Sequence, residues 1–247
     1  MKIYTTINPY GNFNRQNESI KTWSNHYQVY SVNLKEEIEK IESLYPDVIF
    51  IETDNVFNYN DKKLIKMNAI LESIDKSDIA AIVNSDISLN ESMIIDVDSR
   101  FLKNGIVIGT RYEIDNGKIY PFIYGYDIFI FDPKKIDLIL NDNYVIGMPW
   151  WDYWVPLAFI KKGMNVYHMK NQVIYHKTHE TNYDMDIWLE FGKCFYNDIV
   201  RDILNYNNEM TLDEFIVGNF GEQMDIKKYI ESKQINIDCL VKQIDSI

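Results

Sequence analysis

Apolar and polar positions along the first part of the chain alternate between two periods, one of strands and one of helices. Lys2–Asn8 and Tyr27–Val32 carry β-branched and aromatic residues in loose alternation, which predicts strands. Between them, beyond the polar loop Pro9-Tyr10-Gly11-Asn12, Asn17–Ser24 reads as a helix. Asn33 begins a second helix signal, with Leu34, Ile38, Ile41 and Leu44 on one face and Glu and Lys on the other, until Pro46 stops it. Asp47–Glu52 is a compact apolar strand. Lys62–Ile74 is again amphipathic, with Leu64, Ile65, Ala69, Ile70 and Leu71 on its buried side. Asp78–Asn84 is an apolar run fit for a central parallel strand covered on both faces. The resulting β-α-β-α-β-α-β order predicts an α/β fold, a parallel sheet flanked by helices, with ligands outside the carboxyl ends of the strands.

The middle of the chain changes style. Gly105–Arg111 reads as a strand, Asp115-Asn116-Gly117 as a tight hairpin turn, and Tyr120–Asp132 as a long aromatic strand. A short helix at Pro133–Leu140 leads to a loop holding Gly147, Met148 and Pro149. Trp151–Lys162 reads as a helix ended by Gly163, followed by strands at Asn165–His168 and Gln172–Tyr175. From Asp184 onward the chain reads as helical, with a capping-box pattern at Thr211-Leu-Asp-Glu214. No Gly-, Pro- or Ser-rich linker and no repeat divides it. The expected organisation is one domain over residues 1–183 with a helical C-terminal extension over 184–247 packed on it.

Composition narrows the picture. A 247-residue chain that is 46% hydrophobic and 14% aromatic can fill the core of one large domain. No stretch approaches the roughly 18–20 apolar residues of a membrane span, so none is expected. Met1-Lys2-Ile3-Tyr4 enters strand-like sequence with no apolar leader. Cys194 and Cys239 give no disulfide framework and suit reduced thiols, so the expected location is cytoplasmic. Asp plus Glu outnumber Lys plus Arg, 37 to 25, for a net charge of −12. That surface repels nucleic acid and anionic lipid, and no Lys/Arg run offsets it. A phosphate ester would need local help to bind, which a divalent cation supplies. The chain has no G-x-G-x-x-G after its first strand, no G-x-x-x-x-G-K-[ST], no G-x-S-x-G and no paired C-x-x-C.

Three segments carry candidate chemistry. Asn84-Ser85-Asp86 ends the most apolar strand, where a carboxylate would stand at the ligand edge; Asp86 suits either a divalent cation or the cap of the next turn. Gly147-Met-Pro-Trp150-Trp151-Asp152-Tyr-Trp154 sets a carboxylate at a helix start among aromatics that suit a sugar ring. Asp152 is either a proton acceptor or a helix-start residue, and at least one of the tryptophans belongs to the core. His176-Lys-Thr-His179 places half of the four histidines just after a strand, where one could add a nitrogen to a metal held by Asp86, or both could bond backbone.

In this order the segments resemble the GT-A glycosyltransferases, nearest to small bacterial and viral members related to the family 2 enzymes. Thr5-Thr6, Gln16-Asn17 and Ile20-Lys21-Thr22-Trp23 resemble the family's opening segment. Asn84-Ser85-Asp86 stands where its D-x-D motif stands, Trp151-Asp152 where its acidic base stands, and His176-x-x-His179 resembles its closing histidine motif. The resemblance covers residues 1–183 and implies a GT-A, Rossmann-like, mostly parallel mixed sheet. It implies Thr5, Thr6 and Asn17 at the nucleotide, Asn84, Ser85 and Asp86 at the diphosphate, and Mn²⁺ or Mg²⁺ on Asp86 and His176. Asp152 would be the base. Gly109-Thr110-Arg111 and Tyr124-Gly125-Tyr126-Asp127 would border the donor sugar and acceptor, so that Tyr124 and Asp127, with Trp150 and Trp151, would meet the acceptor. Lys63, Lys66 or Arg111 would add positive charge at the phosphates, although as surface residues they suit plain solvation better. The first Asp of D-x-D is Asn84 here, which keeps an oxygen ligand but loses a charge. The implied activity is transfer of a sugar from a UDP- or GDP-type donor to a carbohydrate acceptor hydroxyl, with inversion. The rivals are a sugar-nucleotide nucleotidyltransferase, a glycosidase using Asp127 and Asp152, and a non-catalytic carbohydrate-binding protein.

Overall fold

The computed structural model describes residues 1–90, 93–179, 185–200 and 219–243. The first part runs β1 (Lys2–Thr5), α1 (Phe13–Ser24), β2 (Gln28–Asn33), α2 (Lys35–Ile41), β3 (Val48–Glu52), β4 (Val56–Tyr59), β5 (Lys62–Ile65) and α3 (Met67–Glu72). It continues through β6 (Ala80–Val83), β7 (Ile87–Leu89), β8 (Met93–Asp96), α4 (Ser99–Lys103), β9 (Gly105–Gly109), β10 (Tyr112–Asp115), β11 (Lys118–Pro121) and β12 (Ile128–Phe131). The last part holds α5 (Trp151–Lys161), β13 (Asn165–Met169), β14 (Ile174–Lys177), α6 (Met185–Phe195), α7 (Asn219–Lys233), β15 (Gln234–Ile237) and β16 (Leu240–Gln243).

An eight-stranded sheet in the order β15-β13-β9-β12-β6-β1-β2-β3 forms the centre, and all its pairs are parallel except those of β12. Alternation sorts its side chains to two covered faces. Ile3, Ala81, Val83, Val107 and Ile130 pack with Ile20 and Trp23 of α1. Tyr4, Ile82, Ile108, Phe129 and Phe131 pack with α3 and α5. Every residue of β6, β9 and β12 is buried, as their unbroken apolar runs require.

The reversed strand β12 sets the ligand edge. Ile128 pairs with Val83 on one side and Gly109 on the other, so the residue before it, Asp127, lies level with the carboxyl ends of β6 and β9. Above that edge a second sheet, β11-β10-β14-β7, puts Glu113 opposite His176 and His176 opposite Ile87.

Several elements differ from the pattern-based expectation. Helix α1 starts at Phe13 because the Asn12 side chain accepts from Arg15 N at 3.1 Å, a cap that apolar spacing does not show. The expected helix over Lys62–Ile74 is mostly a hairpin. Asn60 turns the chain with φ 50°, Tyr59 pairs with Lys62, and only Met67–Glu72 is helical. The long strand expected at Tyr120–Asp132 is broken between Pro121 and Ile128, where Gly125 takes φ 65°. The C-terminal segment is only partly helical, since Gln234–Ile237 adds parallel to β13 and β16 pairs with β8. The capping box at 211–214 lies outside the described residues.

Gly105 lets β9 and β13 approach closely. A Cβ there would sit 2.2 Å from the Asn165 carbonyl oxygen, which is backbone and cannot swing aside. Gly105→Ala is therefore expected to cost about 1–3 kcal/mol by overpacking, read as a lower urea midpoint with an unchanged m-value.

Candidate active site

β6 ends at Val83, and a turn in which Ile87 N donates to Asn84 O (3.1 Å) swings Asp86 over the sheet edge. There Asp86 Oδ2 lies 3.4 Å from His176 Nε2 and 3.2 Å from His179 Nε2. One atom from each of the three can face a common point, all within 4.8 Å of one another. His176 comes from β14, and its other nitrogen, Nδ1, is 2.8 Å from Glu113 Oε2, which Thr178 Oγ1 also approaches at 3.2 Å. A carboxylate behind an imidazole fixes its tautomer and aims the free nitrogen, the usual support of a metal-binding histidine. A carboxylate with two imidazoles is a donor set that fits a divalent first-row ion.

The row of charges continues. Arg111 Nε donates to Glu113 Oε1 at 2.7 Å, and its NH1 to Asp127 Oδ1 at 2.5 Å. The guanidinium lies over the Phe122 ring, 3.8 Å from its centroid. Burial by itself would raise Asp86 and Glu113 and lower His176. Hydrogen bonds reverse all three. His176 and His179 hold the Asp86 carboxyl well below its usual range, His176 and Arg111 bring Glu113 to about 2, and Asp86 with Glu113 carries His176 to about 9. For Asp127 burial wins over Arg111 and its carboxyl is raised. Its Oδ2 is buried and makes no hydrogen bond among the described residues.

Asp152 sits in the first turn of α5. The residue that caps this helix, Trp150, has φ 77°, a left-handed conformation that a bulky side chain resists. Burial holds it there. Its ring is stacked on Phe195 (5.1 Å) and against Trp188 (4.7 Å), and its Nε1 donates to Trp188 O at 3.1 Å. The helix start so fixed aims Asp152 at the loop before β12, where a Cβ on Gly125 would lie 2.0 Å from Asp152 Oδ2. The same loop is tied to α5 because Gly125 N donates to Tyr153 Oη at 2.9 Å. Burial, then the charge of Asp127, raises the Asp152 carboxyl to about 7.

The other candidates fall in different places. Thr5 is fully buried at the end of β1, and Thr6 Oγ1 donates to Val32 O at 2.7 Å. Ser85 Oγ donates to Gln16 Oε1 at 3.0 Å. Gln16 also accepts from Asn8 N and donates to Asn8 O, so it ties α1 and the loop after β1 to the Asp86 turn. Asn17, next in sequence, instead lines a recess with Leu44, Tyr45 and Pro46 before the start of β3, at the opposite edge of the sheet. Lys63 is on the β4–β5 hairpin, its ammonium 3.1 Å from Glu36. Asn84 Oδ1 faces Gly147, whose Cβ would lie 4.0 Å away. Trp150 and Trp151, each 2% exposed, are packed into the core beneath the site rather than turned toward an acceptor. Tyr124 is half-buried against Phe122. Glu113 was invisible to motif reading, because only the pairing of β10 with β14 brings it to His176.

Neither a family model nor a curated protein matches the chain. Among solved structures it is similar to S. aureus TarS 1-349 in complex with UDP-GlcNAc. That likeness has a TM-score of 0.52 and 14% identity, and covers 90% of this chain and 71% of that one. The chain has a GT-A-like fold. A second structure, the inositol-1-phosphate CTP transferase from T. maritima, aligns over 80% of this chain and 96% of that one at 11% identity, with a TM-score of 0.42 that bears no weight.

Two outcomes follow from this geometry. Trp150→Ala is expected to lower stability by about 3–5 kcal/mol, read by urea denaturation, because it empties a buried aromatic site. Asp152→Asn should raise Tm at pH 8 by roughly 2–6 °C and leave it unchanged near pH 4. The sign follows from the raised carboxyl: a folded-state value of about 7 favours the folded protein at low pH, and that contribution is lost as pH rises through 7.

Proposed function

We propose that the chain is a glycosyltransferase that moves a sugar from a nucleoside diphosphate to an acceptor hydroxyl. One juxtaposition carries this reading. The metal-competent cluster Asp86–His176–His179 and the carboxyl of Asp152 stand at one sheet edge, joined through Glu113, Arg111 and Asp127. The likeness to TarS in complex with UDP-GlcNAc supports a nucleotide-sugar donor.

In this reading the nucleotide lies across the ends of β1 and β2, against Thr5, Thr6 and the loop braced by Gln16. A divalent cation on Asp86, His176 and His179 would offset the negative charge of the leaving diphosphate. Two imidazoles suit Mn²⁺ or another first-row ion better than Mg²⁺, which prefers oxygen ligands. Arg111 is already engaged by two carboxylates, so its role is to hold Glu113 and Asp127 rather than phosphate. Asp152 accepts the acceptor hydroxyl proton as the new C–O bond forms at the anomeric carbon and the bond to the diphosphate breaks. Attack from the face opposite the leaving group inverts that carbon. Gly125 and its neighbours floor the acceptor side, and the aromatic run Tyr120, Phe122 and Tyr124 leads into it in place of the buried tryptophans. Of these, Tyr120 is 43% exposed.

Calorimetry with UDP-, GDP- and dTDP-sugars should show binding that needs Mn²⁺ and is at least tenfold weaker with Mg²⁺. Asp86→Ala and His179→Ala should each abolish the Mn²⁺-dependent part, and unchanged affinity in both would sink the metal assignment. Asp152→Asn should lower kcat by about 10²–10⁴-fold with donor affinity near wild type. The wild-type rate should rise with pH toward about 7, as the base ionises. Release of pyrophosphate from a nucleoside triphosphate and a sugar phosphate would instead identify a nucleotidyltransferase.

A further inference from the structure

Helix α7, in the C-terminal part of the chain, brings a buried ammonium to the loop that meets Asp152. Ile226 and Ile230, spaced one turn apart and both fully buried, pack α7 into the cluster that contains Trp151, Val155 and Ala158 of α5. Lys227, beside them, is only 7% exposed. Its Nζ donates to Ile123 O at 2.7 Å and lies 5.7 Å from the centre of the Tyr126 ring. Among the described residues no carboxylate lies within ion-pair distance of it, which is costly for a buried cation. The residues it grips, on either side of Gly125, belong to the loop that meets Asp152 Oδ2.

We propose that Lys227 is a positioning residue for Asp152: from α7 it holds the Ile123–Gly125 loop against that carboxyl and supplies it with a cationic counter-charge. The proposal rests on the reading of Asp152 as the base. The charged and titratable groups around Lys227 are Glu231 on its own helix, Asp127 and Tyr126 before β12, Asp152 on α5 and His168 on β13. Burial lowers the ammonium, while the charges of Glu231, Asp127 and Asp152 work to keep it protonated. Asp127 raises Asp152, so a cation in the same field has the opposite effect and favours the ionised base. The C-terminal segment thereby becomes part of the catalytic apparatus, not an appendage to it.

The test is a ¹³C NMR titration of the Asp152 side-chain carboxyl in the full chain, which needs no substrate. In Lys227→Met the midpoint should move up by about 0.5–1 pH unit, and in Lys227→Arg it should stay near wild type. Lys227→Gln keeps a donor for Ile123 O without the charge, so its midpoint should also rise; this variant decides the matter if the Met variant does not fold. In either neutral variant kcat at pH 7 should fall several-fold with donor affinity unchanged. An unmoved midpoint in the folded neutral variants, with only a loss of thermal stability, would overturn the proposal. A wild-type chain that transfers no sugar would overturn the transferase reading alone, because the titration still reports on Lys227.

Discussion

The site hangs on the Arg111 guanidinium and the two buried carboxylates it joins. Glu113 and Asp127 come from different sheets, one from β10 and one from the loop before β12, and Arg111 reaches both. Each is nearly sealed from water, with side chains 7% and 3% exposed. A buried carboxylate without a partner is strongly disfavoured, and removing one member of such a set typically costs about 3–5 kcal/mol. The pairing therefore dictates how the small sheet sits over the edge of the large one. Everything further out inherits that placement: Glu113 aims His176, His176 faces Asp86, and Asp127 sets the field in which Asp152 ionises.

The protein gives up stability to build this edge. Trp150 is held in a left-handed conformation by stacking on Phe195 and Trp188, and the strain buys a helix start that points Asp152 into the loop. A carboxyl raised to about 7 opposes folding at neutral pH. Asp127 Oδ2 is buried without a hydrogen bond among the described residues. None of these features helps a core pack. Their concentration within one loop, one turn of helix and two strand ends is what a site looks like when local consistency is sacrificed for chemistry.

The large sheet was legible because strands covered on both faces write themselves as unbroken apolar runs, and Ala80–Val83, Gly105–Gly109 and the reversed Ile128–Phe131 all do so. Where periodicity was ambiguous, turn chemistry decided. Leu64 and Ile65 fit a helical face on paper, but Asn60 and Asp61 close a hairpin that puts them in a strand. That Asp86 and His176 stand together, and that Asp152 opens a helix at the same edge, was readable from position at strand ends and a helix start. Glu113 and Lys227 were not. Each reaches the site through pairing or packing across a long stretch of chain, with nothing in its own neighbourhood to mark it. Asn17 and Gln16 show how fine that limit is. One residue of helical rotation sends Gln16 to the Asp86 turn and Asn17 to the opposite edge.

A net charge of −12 makes an anionic ligand a problem for the surface as a whole, and the architecture answers it locally. Four carboxylates converge here, and three of them are matched by cationic groups. Asp86 is set against two imidazoles, Glu113 against an imidazole and a guanidinium, and Asp127 against that same guanidinium. Asp152 has no direct cationic partner among the described residues, and burial with the charge of Asp127 raises its carboxyl to about 7. That contrast supports the roles proposed for them. The Asp86 and Glu113 carboxyls, held well below their usual range by the cationic groups beside them, stay ionised and suit holding a cation or a neighbour. A carboxyl that burial and the charge of Asp127 raise to about 7, as at Asp152, suits the proposed role of taking up a proton and giving it back.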